Sequence, residues 1–324
     1  MINKNPFFKK RINVYSSEIY KVIGLKNTNN KFKINDIKDL NYAKNNDISF
    51  FNSIKYLDLL KKTKAKYIIT NKKYEKLVKK YCNVLVVNDV LLSVAKITLL
   101  FYPNSIDDIV DLNIKKPDEK ILSKIYFGKN VLIGKNVKIG KKTIVGHNTI
   151  IESNVNIGSN CCIGNNVIIK NSIIGNNVRI LDGAVIGKKG FGFFPKKNKN
   201  FRYPHIGIVI IEDNVEIGCN NTIDRGSLSN TIIGSNTFLD NQVHIAHNVQ
   251  IGKNCIITGQ VGFAGSSKIG NNVQIGGQAG ISGHLKIGNN VQIGGGSGVI
   301  KNIPDNTKVM GYPAKDIRKF LKDI

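Results

Sequence analysis

Two histidines three residues apart are the side chains of this sequence best suited to chemistry. The stretch "DNQVHIAHNVQIG", residues 240–252, holds His244 and His247, two of the five histidines in the chain. An imidazole ring has an ordinary pKa of about 6.5, so it can accept a proton near neutral pH or bind a metal ion as the neutral ring. The pair therefore suggests metal ligands, a general base with a neighbour, or two solvent-exposed rings.

An aliphatic residue recurs at every sixth position around these histidines. One run begins at Ile133 and slips by one residue at Ile174. A second run covers twelve consecutive positions from Ile233 to Val299. A period of six does not match the roughly 3.6 residues per turn of a helix, but it suits short strands in which residues i and i−2 share a face. The following "IGKN" and "IGNN" segments supply Gly and Asn, which tolerate the left-handed backbone of a corner. The repeat predicts a solenoid of short strands around a narrow aliphatic core.

Stacking of the coils predicts which side chains meet. If three hexapeptides close one coil, residues eighteen positions apart lie on neighbouring coils, about 4.8 Å apart. Gly265 then lies one coil above His247, and His284 lies two coils above Asn248. A base that removes a proton and a backbone N–H that stabilises an oxyanion are the groups that acyl transfer requires. This edge of the solenoid is therefore a candidate acyl-transfer site.

The histidines leave alternatives open. His244 directly precedes an inward-facing isoleucine and is expected to point outward, where a subunit contact or a solvated ring is favoured over direct chemistry. A zinc site formed by His244, His247 and His284 is the less favoured hypothesis, and no metal is predicted. His147 and His205 are expected to be solvated surface rings.

Two segments interrupt the hexapeptide repeat. Residues 187–207, "GKKGFGFFPKKNKNFRYPHIG", are too long and polar for a coil and are predicted to loop outward. Residues 224–230, "DRGSLSN", form a shorter excursion. Long loops on rigid scaffolds often carry function, although a tolerated insertion explains the shorter one equally well.

The flanking regions differ from the repeat. Residues 1–115 contain two strand-like segments, "KYIIT" and "NVLVV", and two helix-like segments, "KYLDLLKKTK" and "DVLLSVAKITLLFY", which predict an α/β domain. "NIKKPDEK" reads as a hinge before the repeats of residues 116–308. Residues 309–324 are predicted to form a short basic C-terminal helix.

The composition sets limits on the class of protein. Five cysteines lack C-x-x-C spacing, so no disulfide framework or zinc ribbon is expected, and a reduced, cytoplasmic protein is predicted. No segment is apolar and long enough to predict a membrane span. A net charge of +26 is consistent with a general lysine bias or with a basic surface that meets an acidic protein, an anionic membrane or nucleic acid. Nucleic-acid binding is not predicted, because no arginine-rich stripe or aromatic RNA-binding strand accompanies the charge.

The histidine segment resembles a known family. "LDNQVHIAHNVQIG", with "VEIGCNNTIDRGSLSNTIIG" before it and "FAGSSKIG" and "ISGHLKIG" after it, is similar to the UDP-3-O-(3-hydroxyacyl)glucosamine N-acyltransferases of lipid A synthesis. "NNTIDRG" and "IAHN" also occur in the related UDP-N-acetylglucosamine O-acyltransferase. The long leading domain and its segment "DISFFNSIKY" favour the N-acyltransferase. The resemblance implies a left-handed parallel β-helix and a homotrimer with active sites between neighbouring solenoids.

The resemblance also implies roles for individual residues. His247 would be the general base for the glucosamine 2-amino group of UDP-3-O-(3-hydroxyacyl)glucosamine, which attacks the thioester of a 3-hydroxyacyl-acyl carrier protein to give UDP-2,3-diacylglucosamine. Gly265 would supply the oxyanion N–H, and His284 would assist substrate positioning. The carrier protein's phosphopantetheine thioester is a co-substrate, and no other cofactor is implied.

In the leading domain, the resemblance implies that Phe50 and Tyr56 sandwich uracil, with Lys55 nearby for charge. Ser53 stands where the family usually has asparagine, so the uracil hydrogen bond is assigned to Asn52 or Ser53. Lys189 similarly replaces a usual acidic residue.

Other functions remain as alternatives. The chain could be another hexapeptide acyltransferase that acts on a nucleotide sugar, by O-acylation or with coenzyme A, or a binding module whose basic surface recruits nucleic acid. The basic C-terminal residues could bind an acidic carrier protein or form a solvated helix face; they are Lys315, Arg318, Lys319 and Lys322.

Overall fold

A computed structural model describes residues 5–26, 31–118, 125–196 and 199–322. The chain forms two compact units. One comprises residues 1–107 and 192–206, and the other comprises residues 108–191 and 207–324. The second unit begins at Asp108, before the boundary predicted at residue 115, because the chain already contacts the coils there. The Asp111 carboxylate accepts a hydrogen bond from Ser153 N–H at 2.9 Å, and Lys115 pairs with Ile133.

The second unit is a three-sided parallel β-helix built from two- to five-residue strands. Among the described residues, its strands form three sheets that run the length of the solenoid. The first sheet contains Tyr126–Phe127, Ile144–Val145, Cys162–Ile163, Arg179–Ile180, Glu216–Ile217, Phe238–Leu239, Ile256–Ile257, Gln274–Ile275, Gln292–Ile293, Lys308–Met310 and Lys315–Asp316. The second contains Leu132–Ile133, Ile150–Ile151, Ile168–Ile169, Val185–Lys189, Thr222–Arg225, His244–Ile245, Gly262–Phe263, Gly280–Ile281 and Gly298–Val299. The third contains Lys138–Ile139, Asn156–Ile157, Ser172–Ile174, Val209–Ile211, Thr231–Ile233, Gln250–Ile251, Lys268–Ile269 and Lys286–Ile287.

The predicted aliphatic positions fill the core of this solenoid. Ile151, Ile245 and Ile281 are 0–2% exposed, and so are the valines two positions before many such residues, including Val249 and Val291. Each coil thus buries two apolar side chains per strand, which removes a continuous column of hydrocarbon from water.

Asparagine at the corners supplies both backbone freedom and hydrogen bonds. Asn254, Asn272 and Asn290 have φ near +55°, the left-handed region that asparagine tolerates better than most residues. Their side-chain amides form a ladder, with Asn254 donating to Asn272 at 3.2 Å and Asn272 to Asn290 at 3.0 Å. The hexapeptide sequence therefore specifies its own corners.

The two interruptions change the spacing of the coils without breaking their register. Ile174 stacks on Ile157, which confirms the predicted slip of one residue. Ile211 stacks on Ile174, 37 residues later, because the chain between them makes the longer excursion. The shorter excursion widens the next spacing to 22 residues, as Ile245 stacks on Ile223.

The longer excursion is more ordered than the predicted outward loop. The strand Val185–Lys189 pairs with Thr222–Arg225 through a bulge, and Phe193–Lys196 pairs with Lys199–Arg202 as an antiparallel hairpin of the first unit. The prediction that His205 is solvated is wrong. Its ring is 0% exposed and packs edge-on against Tyr203, whose carbonyl lies 3.0 Å from Nδ1. His147 is exposed as predicted, and its Nδ1 accepts a hydrogen bond from Lys129 N–H.

A buried ion pair joins the start of the second unit to its middle coils. The Arg225 guanidinium, 1% exposed, donates to Asp108 at 2.8 Å. Burial alone would raise the pKa of Asp108, but the Arg225 hydrogen bond and the nearby positive charges hold that pKa below its ordinary value.

Replacing Asp108 with asparagine should lower the free energy of unfolding by about 2–3 kcal/mol, because it removes the negative charge that pairs with a buried guanidinium. The expected loss lies below that of a fully enclosed pair because the Asp108 side chain is 33% exposed. Since the folded-state pKa of Asp108 is lowered, this stabilisation is present above the ordinary carboxylate pKa and is lost as pH falls through the folded-state value. Denaturant titration at pH 7 and at acid pH measures both effects.

The matched control is Asp118→Asn, since Asp118 pairs with Lys115 at 3.0 Å but is 60% exposed. Its expected cost is below about 1 kcal/mol. Equal losses for the two variants would contradict a stabilising role for the buried pair.

The first unit is an α/β fold around a parallel sheet. The four strands of this sheet lie in the order Asp36–Ile37, Asp47–Phe50, Tyr67–Thr70 and Asn83–Val86. The helices of this unit are Ser16–Ile23, Leu57–Lys62, Glu75–Val78 and Val90–Phe101. Short 3-10 turns lie at Ile54–Tyr56, Lys72–Tyr74 and Pro103–Ser105. A separate pair of antiparallel strands joins Val14–Tyr15 to Lys33–Ile34. The two predicted strands and two predicted helices are confirmed.

The C-terminal segment is helical over Ile317–Lys322, so the helix begins later than the predicted residue 309, since Lys308–Met310 and Lys315–Asp316 pair as strands before it. Residues 323–324 of the predicted range lie outside the described residues. Residues 119–120 of the predicted hinge lie outside the described residues.

No helix in the described part of the chain is long and apolar enough to cross a membrane.

Candidate active site

The coils around the histidine segment stack without a slip. His244–Ile245 pairs with Gly262–Phe263, which pairs with Gly280–Ile281, each eighteen residues further on. At the corner that follows, Ser266 N–H donates to His247 O at 2.9 Å and His284 N–H donates to Gly265 O at 3.1 Å. The predicted placement of His247, Gly265 and His284 on successive coils of one corner is confirmed.

The His247 ring lies directly against the Gly265 backbone. A Cβ atom built on Gly265 would lie 2.7 Å from Cε1 and 2.8 Å from Nε2 of His247. Real Cβ atoms do not approach other heavy atoms this closely, so only glycine leaves room for the half-buried ring in this position.

The Gly265 N–H is an available donor because of the residue above it. At a neighbouring corner, Lys253 N–H donates to Asn271 Oδ1 and Asn271 N–H donates to Asn289 Oδ1, both at 2.8 Å. The residue one coil above Gly265 is Gly283, which has no side chain to play this part. Within the described ranges, the Gly265 N–H donates no hydrogen bond. A bare backbone donor beside an imidazole suits stabilisation of an oxyanion.

Asn248 is the immediate polar neighbour of the base candidate. Its Oδ1 atom lies 2.8 Å from His247 Nδ1, and the residue is 8% exposed. The backbone φ of +63° turns the chain at the corner, and Ser266 and His284 occupy the same position on the next two coils. His284 is exposed, so it lies at the edge of the site rather than within the core.

His244 occupies a different place from His247. It lies on the outer face of its strand, and its Nδ1 is 2.7 Å from the Thr222 hydroxyl one coil below. In the described part of the chain, no group of three or more His, Cys, Asp or Glu side chains is arranged to hold a metal ion.

The residues assigned to uracil lie at one junction in the first unit. Phe50 ends the strand Asp47–Phe50, and Ser53 caps the 3-10 turn Ile54–Tyr56, where its Oγ accepts from Lys55 N–H at 3.4 Å. Tyr56 packs against the hydrophobic cluster around Phe51 and is half-buried. Burial, and then the charge of Asp39, raises the pKa of Tyr56, so this ring is neutral at physiological pH. The junction can present an aromatic platform and an exposed ammonium to a ligand.

Family models match three parts of the chain. Residues 31–100 match the model described as UDP-3-O-(3-hydroxymyristoyl) glucosamine N-acyltransferase. Residues 230–265 and 266–301 each match bacterial transferase hexapeptide (six repeats), and residues 109–190 match a GMPPB C-terminal domain.

Curated relatives agree with the first of these models. The chain is 53% identical over 150 residues to a UDP-3-O-acylglucosamine N-acyltransferase of Agrobacterium fabrum, covering 46% of this chain and 42% of the relative. It is 55% identical over 76 residues to the protein of that name from Rhizobium johnstonii, covering 24% of this chain and 22% of the relative. The matched segments thus span less than half the length of these relatives. Together with the family model, they confirm the resemblance seen in the sequence.

A solved structure is similar in fold. The UDP-N-acetylglucosamine acyltransferase from Campylobacter jejuni aligns with a TM-score of 0.52 at 23% identity, covering 60% of this chain and 73% of that one. With the hexapeptide matches, this confirms the predicted left-handed parallel β-helix.

Proposed function

We propose that the protein is an N-acyltransferase of lipid A synthesis that transfers a 3-hydroxyacyl group from acyl carrier protein to the 2-amino group of UDP-3-O-(3-hydroxyacyl)glucosamine. The product is UDP-2,3-diacylglucosamine. The observation that carries the proposal is the His247 ring packed against the bare Gly265 amide, because a base and an oxyanion donor side by side are what acyl transfer needs. The matches to N-acyltransferases support the choice of substrate.

The proposed reaction begins with attack by the sugar amine. Its lone pair forms a C–N bond to the thioester carbonyl carbon, and the carbonyl electrons move to oxygen, where the Gly265 N–H stabilises the charge. His247 Nε2 takes a proton from the amine nitrogen. The C–S bond then breaks as the oxyanion collapses, and the imidazolium returns the proton to the leaving thiolate of phosphopantetheine. The chain needs no further cofactor for these steps, and His284 is assigned to substrate positioning.

The first unit would hold the uridine. Phe50 and Tyr56 would stack on uracil, Lys55 would face a phosphate, and Asn52 or Ser53 would hydrogen-bond the base. Ser53 Oγ already accepts a hydrogen bond from Lys55 N–H, so the Ser53 hydroxyl can donate its own proton to a uracil oxygen.

Replacing Tyr56 with leucine should raise KM for the UDP-sugar about tenfold with little change in kcat, because stacking on a base is worth about 1–3 kcal/mol. Leucine retains the contact with the hydrophobic cluster. Steady-state kinetics with varied UDP-sugar provide the test, and Tyr81→Leu is the control, since Tyr81 is an exposed tyrosine of the same unit. An unchanged KM in Tyr56→Leu would argue against the uracil assignment.

The proposal includes partners. The exposed basic side chains around Ile317–Lys322 are suited to an acidic carrier protein; they are Lys315, Arg318, Lys319 and Lys322. We place three copies of the chain in a homotrimer whose active sites lie between neighbouring solenoids, and the reaction in the cytoplasm, in keeping with cysteines that are free thiols.

The proposal is tested by incubating the purified protein with UDP-3-O-acylglucosamine and a panel of 3-hydroxyacyl carrier-protein thioesters, with products read by mass spectrometry. An alkali-resistant amide product supports N-acylation. An alkali-labile ester, or a preference for coenzyme A thioesters in competition, would favour another hexapeptide acyltransferase. Salt-dependent retention on DNA without thioester consumption would favour a binding module.

A further inference from the structure

We infer that the short loop of residues 226–230 fixes the tautomer of His247 through the Asn248 side chain, which makes Ser227 and Ser229 positioning residues. The catalytic consequence rests on the proposed function, whereas the tautomer itself does not. This loop lies within the excursion of residues 224–230, which lengthens the coil spacing from 18 to 22 residues and which a tolerated insertion would also have explained.

Backbone groups of the loop determine the orientation of the Asn248 amide. Ser227 N–H donates to Asn248 Oδ1 at 3.1 Å, and Asn248 Nδ2 donates to the Ser229 carbonyl at 2.9 Å. A backbone N–H can only donate and a backbone carbonyl can only accept, so the two ends of the amide cannot be exchanged.

The serine hydroxyls reinforce this orientation. Ser227 Oγ donates to Asn248 Oδ1 at 2.8 Å, and Asn248 Nδ2 donates to Ser229 Oγ at 2.8 Å. The Asn248 backbone N–H in turn donates to Thr231 Oγ1 at 2.9 Å. The amide is therefore held from both ends in a site that is almost fully buried.

The amide orientation then sets the protonation of the ring. Asn248 Oδ1 can only accept, and it lies 2.8 Å from His247 Nδ1, so the neutral ring carries its proton on Nδ1. The lone pair consequently resides on Nε2, the ring nitrogen nearer to Gly265: a Cβ built on that glycine would lie 2.8 Å from Nε2 and 3.2 Å from Nδ1. A base must present its lone pair to the proton that it removes, so the loop selects the reactive form of the ring.

The solenoid core gives no reason for the extra residues. Ile245 stacks on Ile223, 22 residues apart, and Phe263 stacks on Ile245 at the usual 18, with all three side chains buried. Core packing is thus equally complete with and without the excursion. The excursion adds the hydrogen bonds to Asn248, along with those that Gly207 N–H donates to the Gly226 and Ser227 carbonyls.

The tautomer is measured by two-bond ¹H–¹⁵N correlation spectra of protein labelled with ¹⁵N-histidine, with the His247 signals assigned from a His247→Gln sample. We expect the Nδ1–H pattern for His247 in the unaltered protein. Asn248→Gly keeps the left-handed corner but removes the amide, and it should shift the ring toward a mixture with the Nε2–H form. Ser227→Ala combined with Ser229→Ala removes the two hydroxyls and should give an intermediate shift.

The kinetic expectation follows from the loss of the reactive tautomer. Asn248→Gly should lower kcat about 10- to 100-fold with KM unchanged, in the range found when groups that orient a functional histidine are removed. The double serine variant should lose several-fold less than Asn248→Gly. Ser153→Ala is the matched control, because Ser153 Oγ accepts from Lys135 N–H at a distant corner; its spectrum at His247 and its turnover should not change.

An Nε2–H pattern in the unaltered protein would overturn the inference, and so would a full Nδ1–H pattern in Asn248→Gly. The expected tautomer shift in a protein that shows no acyl transfer would support the role of the loop while refuting the proposed function. The two failures are therefore distinguishable.

Discussion

His247→Ala is expected to lower acyl transfer to the UDP-sugar amine by about 10²- to 10⁴-fold, the contribution typical of a positioned general base. Methyl replaces the ring that would accept the amine proton, while the Gly265 N–H and the residues of the proposed uridine site remain. The fold should persist because the core at this coil is formed by the buried Val243, Ile245 and Val249. Product formation is measured by mass spectrometry under initial-rate conditions, and the oligomeric state by size-exclusion chromatography.

The control for this result is His147→Ala, which removes an exposed imidazole from an early coil. Its turnover should equal that of the unaltered protein. If His247→Ala turned over at a near-normal rate while remaining folded, the assignment of the base would be wrong.

Gly265→Ala is expected to lower kcat about 10²-fold, the cost of misplacing a catalytic group by about 1 Å. The added methyl would lie 2.7–2.8 Å from the Cε1 and Nε2 atoms of His247, so the ring must move. The Gly265 backbone is outside the left-handed region, so alanine brings no backbone strain and retains the N–H. The loss should therefore arise from displacement of the base.

The matched control is Gly295→Ala, since a methyl there would lie 3.4 Å from its nearest neighbour at another corner. Steady-state kinetics of the two variants, with thermal unfolding to confirm equal stability, separate the ring displacement from a general effect of alanine in a corner. Unchanged kcat in Gly265→Ala would contradict the close packing of ring and glycine as a functional feature.

The sequence predicted the solenoid and the placement of the candidate catalytic residues at one corner because both depend on simple periodicity. The hexapeptide repeat determines which residues point inward. A coil length of eighteen residues places Gly265 one coil above His247, as in the structure. The slip at Ile174 was predicted for the same reason, since one missing residue shifts every later aliphatic position of the repeat by one.

The remaining features depend on contacts that periodicity does not encode. The burial of His205 follows from a hairpin that packs into the first unit, and residues 192–206 carry no hexapeptide signal. The contacts of Asn248 with Ser227 and Ser229 arise where a spacing of 22 replaces 18, so stacking arithmetic does not align these residues. The change in spacing at "DRGSLSN" was nevertheless the signal that marked the loop.

The most direct test is a crystal structure of the protein with the proposed product, UDP-2,3-diacylglucosamine. We predict that the new amide nitrogen lies within about 2.6–3.2 Å of His247 Nε2 and the amide oxygen within about 2.7–3.1 Å of Gly265 N. An amide bound away from this corner, with His247 and Gly265 contacting neither atom, would contradict it.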